Sequence, residues 1–428
     1  MNRKTLIGLV VAALVAIAIA IALNHSSRPL SEGGGEQTTY LVPALRDHVN
    51  DVNKVVVVGA ENKTIATITR GNDGWSIDEK GGFAADTGKL RELLLKIADA
   101  KLLEQKTSVK DKYATLGVED VDGKDAKGVE IELDGLAQPV KLIVGNSNAH
   151  GGTFVRRVGE AQSWLASGAI TVDKKPENWL HKDLVDIPAS RIASVEIARP
   201  DGKTVRVAKD AEGDANFKLA DVPKGREAGS EYTINGLAST LGGLRFDDVI
   251  AAKDAAPPDH PLKAHYATFD GVMIDVVAWE KDGKDYAQLT ALVDDERANQ
   301  HVGVEQAKAK SDYDAAVAAQ QKGATADAAK TNDAAKPAAN AAGEPPKPLA
   351  VSDPAKDREQ KLAALDKEVA DMNARFKDWT YVLPPYKYAS MNKSEDDLLK
   401  ALDTKKDDKK PAAGTKPATA AKPTKKKG

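Results

Sequence analysis

Val55-Val-Val-Val58, Lys63-Thr64 and Trp75-Ser-Ile77 open a stretch that the chain writes a second time, loosely, as Val195-Glu-Ile197, Lys203-Thr204 and Phe217-Lys-Leu219. Leu90, Leu93, Ile97, Ala100 and Leu102 then match Ile234, Leu237, Leu241, Leu244 and Phe246 in spacing. Gly128-Val-Glu-Ile131 recurs as Gly271-Val-Met-Ile274, and the offset drifts only between 140 and 144 residues. Self-similarity at a fixed period marks a repeated structural unit. The shared positions are chiefly apolar or turn-forming, so a core recurs rather than an active site.

Working outward, Val55–Val58 and Thr64–Thr69 predict a hairpin and Trp75–Ile77 a third strand. Asp86 is placed to cap a helix reaching Ala100, in which Leu90, Leu93, Leu94 and Ile97 form the i, i+3, i+4, i+7 stripe. A meander follows at Val129–Leu133, Val140–Val144, Thr153–Val158 and Ser163–Leu165, punctuated by glycines. The expected fold class is α+β: two tandem copies of a mixed, mainly antiparallel sheet, one face of each covered by a helix.

The first repeat is bounded at 51–188, its end marked by a connector with Pro176, Trp179, Leu180, Leu184 and Ile187. The second, 189–402, has its helix predicted at Asn235–Leu244, a Pro-rich loop at Asp254–Pro261, and strands at Val272–Trp279 and Tyr286–Val293. A low-complexity insertion, 305–357, interrupts it with Ala, Lys, Asp, Gln and Pro and too few large apolar residues for a packed core. Its flanks, Glu305–Gln321 and Asp357–Phe376, contain few helix breakers. A helical hairpin with a disordered tip and plain disorder are equally open there. Trp379–Tyr386 reads as a closing strand and turn, Ser394–Leu402 as a short helix, and 403–428 as a disordered Lys-rich tail.

At 428 residues the chain has room for two or three cores, and a net charge of −3 speaks against nucleic acid as a general partner. Residues 6–23 are apolar apart from one Gly, and Arg3 and Lys4 precede them. Eighteen helical residues rise about 27 Å, close to the hydrocarbon thickness of a bilayer. The flanking charges would keep the short N-terminal end cytoplasmic and export the rest, giving a single-pass inner-membrane protein with its bulk in the periplasm. Ala20-Ile-Ala22 resembles a cleavage site, so a cleaved signal peptide stands against the uncleaved anchor. Residues 24–50, with Ser31-Glu-Gly-Gly-Gly35, read as a flexible stem. The chain has no Cys, which rules out disulfides and a lipid-modified cysteine.

Several landmarks form a set: the apolar segment, Gly74-Trp75 with a helix after Ala84–Asp86, Tyr113-Ala-Thr-Leu-Gly117, and Ile143-Val-Gly145 leading to Phe154-Val-Arg156. Trp164-Leu165 and Trp379…Leu383-Pro-Pro-Tyr386-Lys387 complete it. Together they resemble a bacterial family known as domain of unknown function 4340. The likeness spans roughly 50–300 and 377–402, and the insertion departs from it. It implies an accessory protein of an exporter-type ABC system. The family has no accepted catalytic residues, so the resemblance assigns none.

Candidate chemistry is sparse. Asp259, His260 and His265 form the best metal candidate, but they lie in a Pro-rich loop and lack an obvious third protein ligand. Gly145–Gly152 looks like a phosphate cradle yet runs strand to strand without the Gly-Lys-Ser/Thr ending. Of Arg156 and Arg157, alternation along a strand leaves one facing water. Asp247-Asp248 and Asp294-Asp295 are adjacent acids of a kind that 64 acidic residues produce by chance. Trp75, Trp164, Trp179, Trp279 and Trp379 fall one per segment, as core residues do.

No catalytic, cofactor-binding or metal residue is therefore identified, and no cofactor is expected. The expectation is a non-enzymatic periplasmic binding or scaffold protein, accessory to an ABC-type transport or envelope-assembly system. Its partners would be the inner membrane through 6–23, proteins of that complex, and anionic lipid at the Lys-rich tail. The rival is a carbohydrate-binding protein or hydrolase with its site in the cleft between the repeats.

Overall fold

The computed structural model describes residues 39–328 and 351–401, with side chains described to residue 319 in the first span. The expected membrane segment 6–23, the first part of the stem, the tip of the insertion and the Lys-rich segment 403–428 lie outside the described residues. No helix among the described residues is long and apolar enough to cross a membrane. The chain divides into two compact units between His181 and Lys182, inside the expected connector.

The first unit contains strands β1 (Lys54–Gly59), β2 (Lys63–Gly71), β3 (Gly74–Ile77) and β4 (Phe83–Ala84), then helix α1 (Thr87–Asp99) and strand β5 (Leu102–Gln105). A short helix α2 (Tyr113–Leu116) precedes β6 (Val129–Asp134), β7 (Val140–Ser147), β8 (Thr153–Arg157) and β9 (Ser163–Ala166). They make a nine-stranded sheet in the order β4-β3-β2-β1-β6-β7-β8-β9-β5. Every ladder is antiparallel, so the expected mixed character is absent from the described sheets.

Helix α1 begins where Asp86 accepts the Lys89 amide at 2.9 Å, and it buries Leu90, Leu93, Leu94 and Ile97. Those side chains join Val55, Val57, Ile68, Ile77, Ile131 and Leu133 in the core. Two expectations are corrected here. Residues 39–50, assigned to the flexible stem, pack on the unit: Leu41 and Leu45 are fully buried, and the Leu41 amide donates to Ala100 O at 2.8 Å. They cover the margin that β5 would otherwise leave open. The sheet is also not bare on its second face, where Tyr113, Val118 and Ile143 form a small core of their own.

The second unit contains β10 (Asp183–Val185), β11 (Ile192–Ala198), β12 (Thr204–Ala208), β13 (Lys218–Leu219), β14 (Arg226–Ala228), helix α3 (Glu231–Ala238), β15 (Leu244–Arg245) and β16 (Asp248–Ala251). It continues with β17 (Leu262–Thr268), β18 (Val272–Lys281), β19 (Lys284–Val293), α4 (Asp295–Ala328), α5 (Pro354–Phe376), β20 (Trp379–Leu383), α6 (Pro385–Met391), α7 (Glu395–Leu398) and β21 (Leu399–Ala401). The expected helix at Asn235–Leu244 instead starts at Glu231 and ends in a tight turn, Ser239–Leu241. The expected closing helix gives way at Leu399 to β21, because β14 offers it a pairing partner.

The main sheet runs β13-β12-β11-β17-β18-β19-β20-β16, again wholly antiparallel. It repeats the first unit's order β3-β2-β1-β6-β7-β8-β9-β5 strand for strand. That order corrects one of the matches read from sequence. Gly128-Val-Glu-Ile131 opens β6, the neighbour of β1, whereas the neighbour of β11 is β17 and not the strand opened by Gly271-Val-Met-Ile274. Strand β17, Leu262-Lys-Ala-His-Tyr-Ala-Thr268, was missed because Lys263 and His265 dilute its apolar pattern.

Between β19 and β20 the chain runs through α4, the insertion and α5, and β20 pairs with β19 only over Asp285–Ala287. The rest of that β19 edge is taken by α5. Asn373 accepts the Ala291 amide and donates to the Ala291 carbonyl, both at 2.8 Å, as a paired strand residue would. Val369, Met372 and Phe376 bury the inner face of α5. Arg191 ties the helix down with a bidentate bond to Glu368 at 2.6 and 2.8 Å and a further bond to Asp270 at 2.9 Å. Within 305–357 no described residue joins the apolar core, as its composition implied, yet both described flanks are helical.

Replacing Asn373 with Ala would leave both Ala291 main-chain groups unpaired, at a cost of about 1–3 kcal/mol. Chemical denaturation should show that loss, and hydrogen exchange should show faster exchange at the Ala291 amide. Unchanged exchange there would refute the edge-cap role.

Candidate functional site

The motif residues of the first unit converge on one place. Helix α2 ends at Gly117, whose φ of +69° lets the Val118 amide turn back to Tyr113 O. The turn then lies directly on two strands. A Cβ on Gly128 would stand 2.3 Å from Gly117 O, and one on Gly145 would stand 2.5 Å from Leu116 O. Glycine is required at both positions because main chain crosses main chain.

Arg156, 3% exposed, secures the same turn. Its Nε donates to Val118 O at 2.8 Å and its Nη1 to Glu160 O at 3.1 Å; it also pairs with Asp120 and lies 4.7 Å above the Tyr113 ring. Arg157, on the opposite face, donates to Leu41 O at 2.7 Å and to Tyr40 O at 3.4 Å. Neither arginine simply faces water, contrary to expectation, since the chain on either side of the sheet presents carbonyls to it. The Gly145–Gly152 segment is the end of β7 and a hairpin turn closed by the Asn148 amide on Gly152 O.

The other candidates disperse. His260 sits exposed in its loop, while His265 lies on β17 with Nδ1 2.5 Å from Asp275 on β18. Glu196, His265 and Asp275 occupy facing positions on successive strands, and Arg206 completes that polar row. Arg206 holds the Glu196 carboxyl below its usual range. Among the described residues, no group of three or more His, Asp or Glu is placed to hold a metal. Asp247 is exposed, and Asp248 accepts the amide of its neighbour Val249. All five tryptophans are at least half-buried within their own unit.

Lys387 of the closing motif is buried, and Nζ donates to Thr240 O at 2.8 Å and Gly242 O at 2.9 Å, the carbonyls that end the turn after α3. It thereby latches α6 onto that turn.

A groove of about 610 Å³ lies in the second unit, where α4 leaves the sheet. Asp210, Ala211 and Glu212 of the β12–β13 loop line one side, Phe269 of the β17–β18 turn lines another, and Asp294, Glu296, Arg297, Gln300, His301 and Val304 complete it. Asp294 builds the helix start: its carboxylate accepts the Arg297 amide at 3.0 Å, and its own amide donates to Gly271 O at 2.8 Å. Gly271 (φ +97°) permits this approach, since a Cβ there would stand 2.8 Å from Ala298.

Across the groove His301 Nε2 lies 3.4 Å from Glu212, and Gln300 donates to Glu296 at 3.1 Å. Val304 stands 67% exposed on the rim. Counting His as neutral, the lining carries a net charge of −3. Of these residues, sequence reading had singled out only Asp294, as half of a chance acidic pair. Asp-Asp-Glu after a strand did signal a helix start, but the groove itself is assembled from three distant segments.

A known family extends across part of this framework. A family model described as a domain of unknown function (DUF4340) matches residues 75–264. The match runs from β3 of the first unit into β17 of the second and takes in α2, Gly128, Gly145 and Arg156. It covers Asp210–Glu212 of the groove but not its α4 side. It is narrower than the likeness read from sequence and spans less than half of the chain. No curated protein and no solved structure matches.

Two predictions follow from these packed positions. Gly128→Ala forces a Cβ against Gly117 O and should destabilise the first unit by about 1–3 kcal/mol, read as a lower thermal midpoint. A Gly128→Ala protein as stable as the parent would disprove the crossing.

Burial lowers the Lys387 ammonium below its ordinary value of 10.5. Its folded value therefore lies beneath the unfolded one, so the folded state holds fewer protons in the window between them. Stability from this group rises with pH through that window and levels off above 10.5, while below the folded value the burial penalty is fully present. Relative to Lys387→Met, the parent should gain stability as pH approaches 10.5. Parallel pH profiles for the two proteins would contradict this.

Proposed function

We propose that this chain is a membrane-anchored periplasmic binding protein, a non-catalytic accessory component of an ABC-type transport or envelope-assembly system. In this reading residues 6–23 hold it in the inner membrane by a single pass, and two tandem copies of one α+β unit stand in the periplasm. The shared strand order of the two sheets supports the duplication. The apolar run behind Arg3 and Lys4 supports the anchor.

The observation that carries the binding reading is how the polar motif residues are used. Tyr113, Arg156, Arg157 and Lys387 each donate to main-chain carbonyls, and the two arginines add a carboxylate apiece, Asp120 and Glu160. Such residues fix shape, and fixed shape is what a docking surface needs. The groove at the start of α4 is the surface assigned to the partner. It is wide, charged and rimmed by an exposed apolar side chain, features that suit a protein segment.

Membrane fractionation tests the anchor. The full chain should stay with the membrane under carbonate extraction, and release by osmotic shock would contradict it. Detergent pull-down tests the assignment: the parent should bring down an ATPase and a permease, and Glu212→Lys/Glu296→Lys should reduce their recovery about tenfold, as loss of roughly 1.4 kcal/mol would. Recovery of neither component by the parent would overturn the transport reading.

A further inference from the structure

We infer that the groove at the start of α4 is the docking site of the Lys-rich segment 403–428 of this same chain. The inference rests on the groove being a binding surface.

Charge is the first argument. The lining holds Asp210, Glu212, Asp294 and Glu296 against one arginine. Asp294 is committed to capping α4. The other three are exposed and weakly held: Asp210 by the solvent-open Lys218, Glu212 by His301 at 3.4 Å, and Glu296 by the neutral Gln300. Segment 403–428 carries nine Lys and three Asp, the strongest excess of cations in the sequence. The rest of the lining suits lysine in particular. Phe269, Ala211 and Val304 offer apolar surface to the methylene stem, while the carboxylates receive the ammonium, the division that long cationic side chains favour.

Reach is the second argument. The last described strand, β21, ends at Ala401 and pairs with β14 within the second unit, the unit that holds the groove. A unit of this size has a radius of gyration of about 18 Å. The residues beyond Ala401 can span up to about 90 Å when extended, enough to reach any point on its surface. Tethering raises the effective concentration into the millimolar range, so individually weak ion pairs suffice. A basic segment of another protein would compete for the same carboxylates, which makes the groove a site that a partner must win from the chain itself.

Zero-length carbodiimide cross-linking of the full chain, followed by peptide mass spectrometry, reads this directly. Amide links should join Lys405–Lys427 to Asp210, Glu212 and Glu296. They should fall about fivefold or more between 0.05 and 1 M salt, where the screening length shortens from about 14 Å to about 3 Å. Mixing isotope-labelled and unlabelled protein should show the links within one molecule, and Glu212→Gln/Glu296→Gln should remove those that remain possible at Asp210 in proportion to the lost charge.

Links scattered evenly over exposed carboxylates, links only between molecules, or transfer of the segment to anionic lipid vesicles with the groove left unlinked would each overturn the inference. If the links are absent while Glu212→Lys/Glu296→Lys still lowers partner recovery, the groove keeps its role and only the internal occupant is lost. If neither effect appears, both readings fall.

Discussion

The ladder between β1 and β6 is the interaction on which the rest of the first unit depends. It joins residues 54–58 to residues 130–134, so the chain must travel through a hairpin, a helix and an edge strand before its first strand gains a second neighbour. Closing so long a loop carries an entropic cost that grows only slowly with its length. What the closure demands is that the returning strand fit. Val55 and Val57 face Leu133 and Ile131 across it, and Gly135 lets the chain pass within 2.3 Å (measured to a Cβ it lacks) of Asp51 O. Strands β11 and β17 repeat the arrangement, with Val195 and Ile197 facing Tyr266 and Ala264.

Once those central ladders exist, the remaining problem is main-chain polarity. A sheet of eight or nine strands has few free edges, but each free amide and carbonyl needs a partner. In the first unit residues 39–41 supply partners beside β5. In the second unit a single side-chain amide, Asn373, serves Ala291. Cationic side chains answer the same need: the buried Arg156 and Lys387 and the partly exposed Arg157 donate to main-chain carbonyls of turns and of the segment at Leu41. Helix α5 is therefore part of the second sheet's edge, and the groove is the space left where α4 departs from the sheet.

The sequence by itself determined the apolar scaffold. The apolar run Val55–Val58 located β1, apolar residues punctuated by glycine turns located β6 and β7, and the Leu90–Ile97 stripe with Asp86 located α1, because burial and capping are local signals. It also identified the polar insertion, but left helix and disorder equally open at its flanks, which the structure resolves as α4 and α5. It misjudged β17, where Lys263 and His265 alternate outward on a strand whose buried partners include the small Ala264 and a tyrosine. It likewise matched Gly128 with Gly271, since both glycines precede an apolar strand.

Only the tertiary structure decided why those glycines are there. Gly128 makes room for Gly117 O, and Gly271 makes room for the first turn of α4. These are contacts between segments far apart in sequence, and local pattern carries no record of what crosses a strand. The groove was illegible for the same reason. Glu212, Phe269 and His301 come from separate elements, and each looks ordinary in its own neighbourhood. Burial and turn chemistry are written residue by residue, whereas a site assembled across strands exists only once the strand order is fixed.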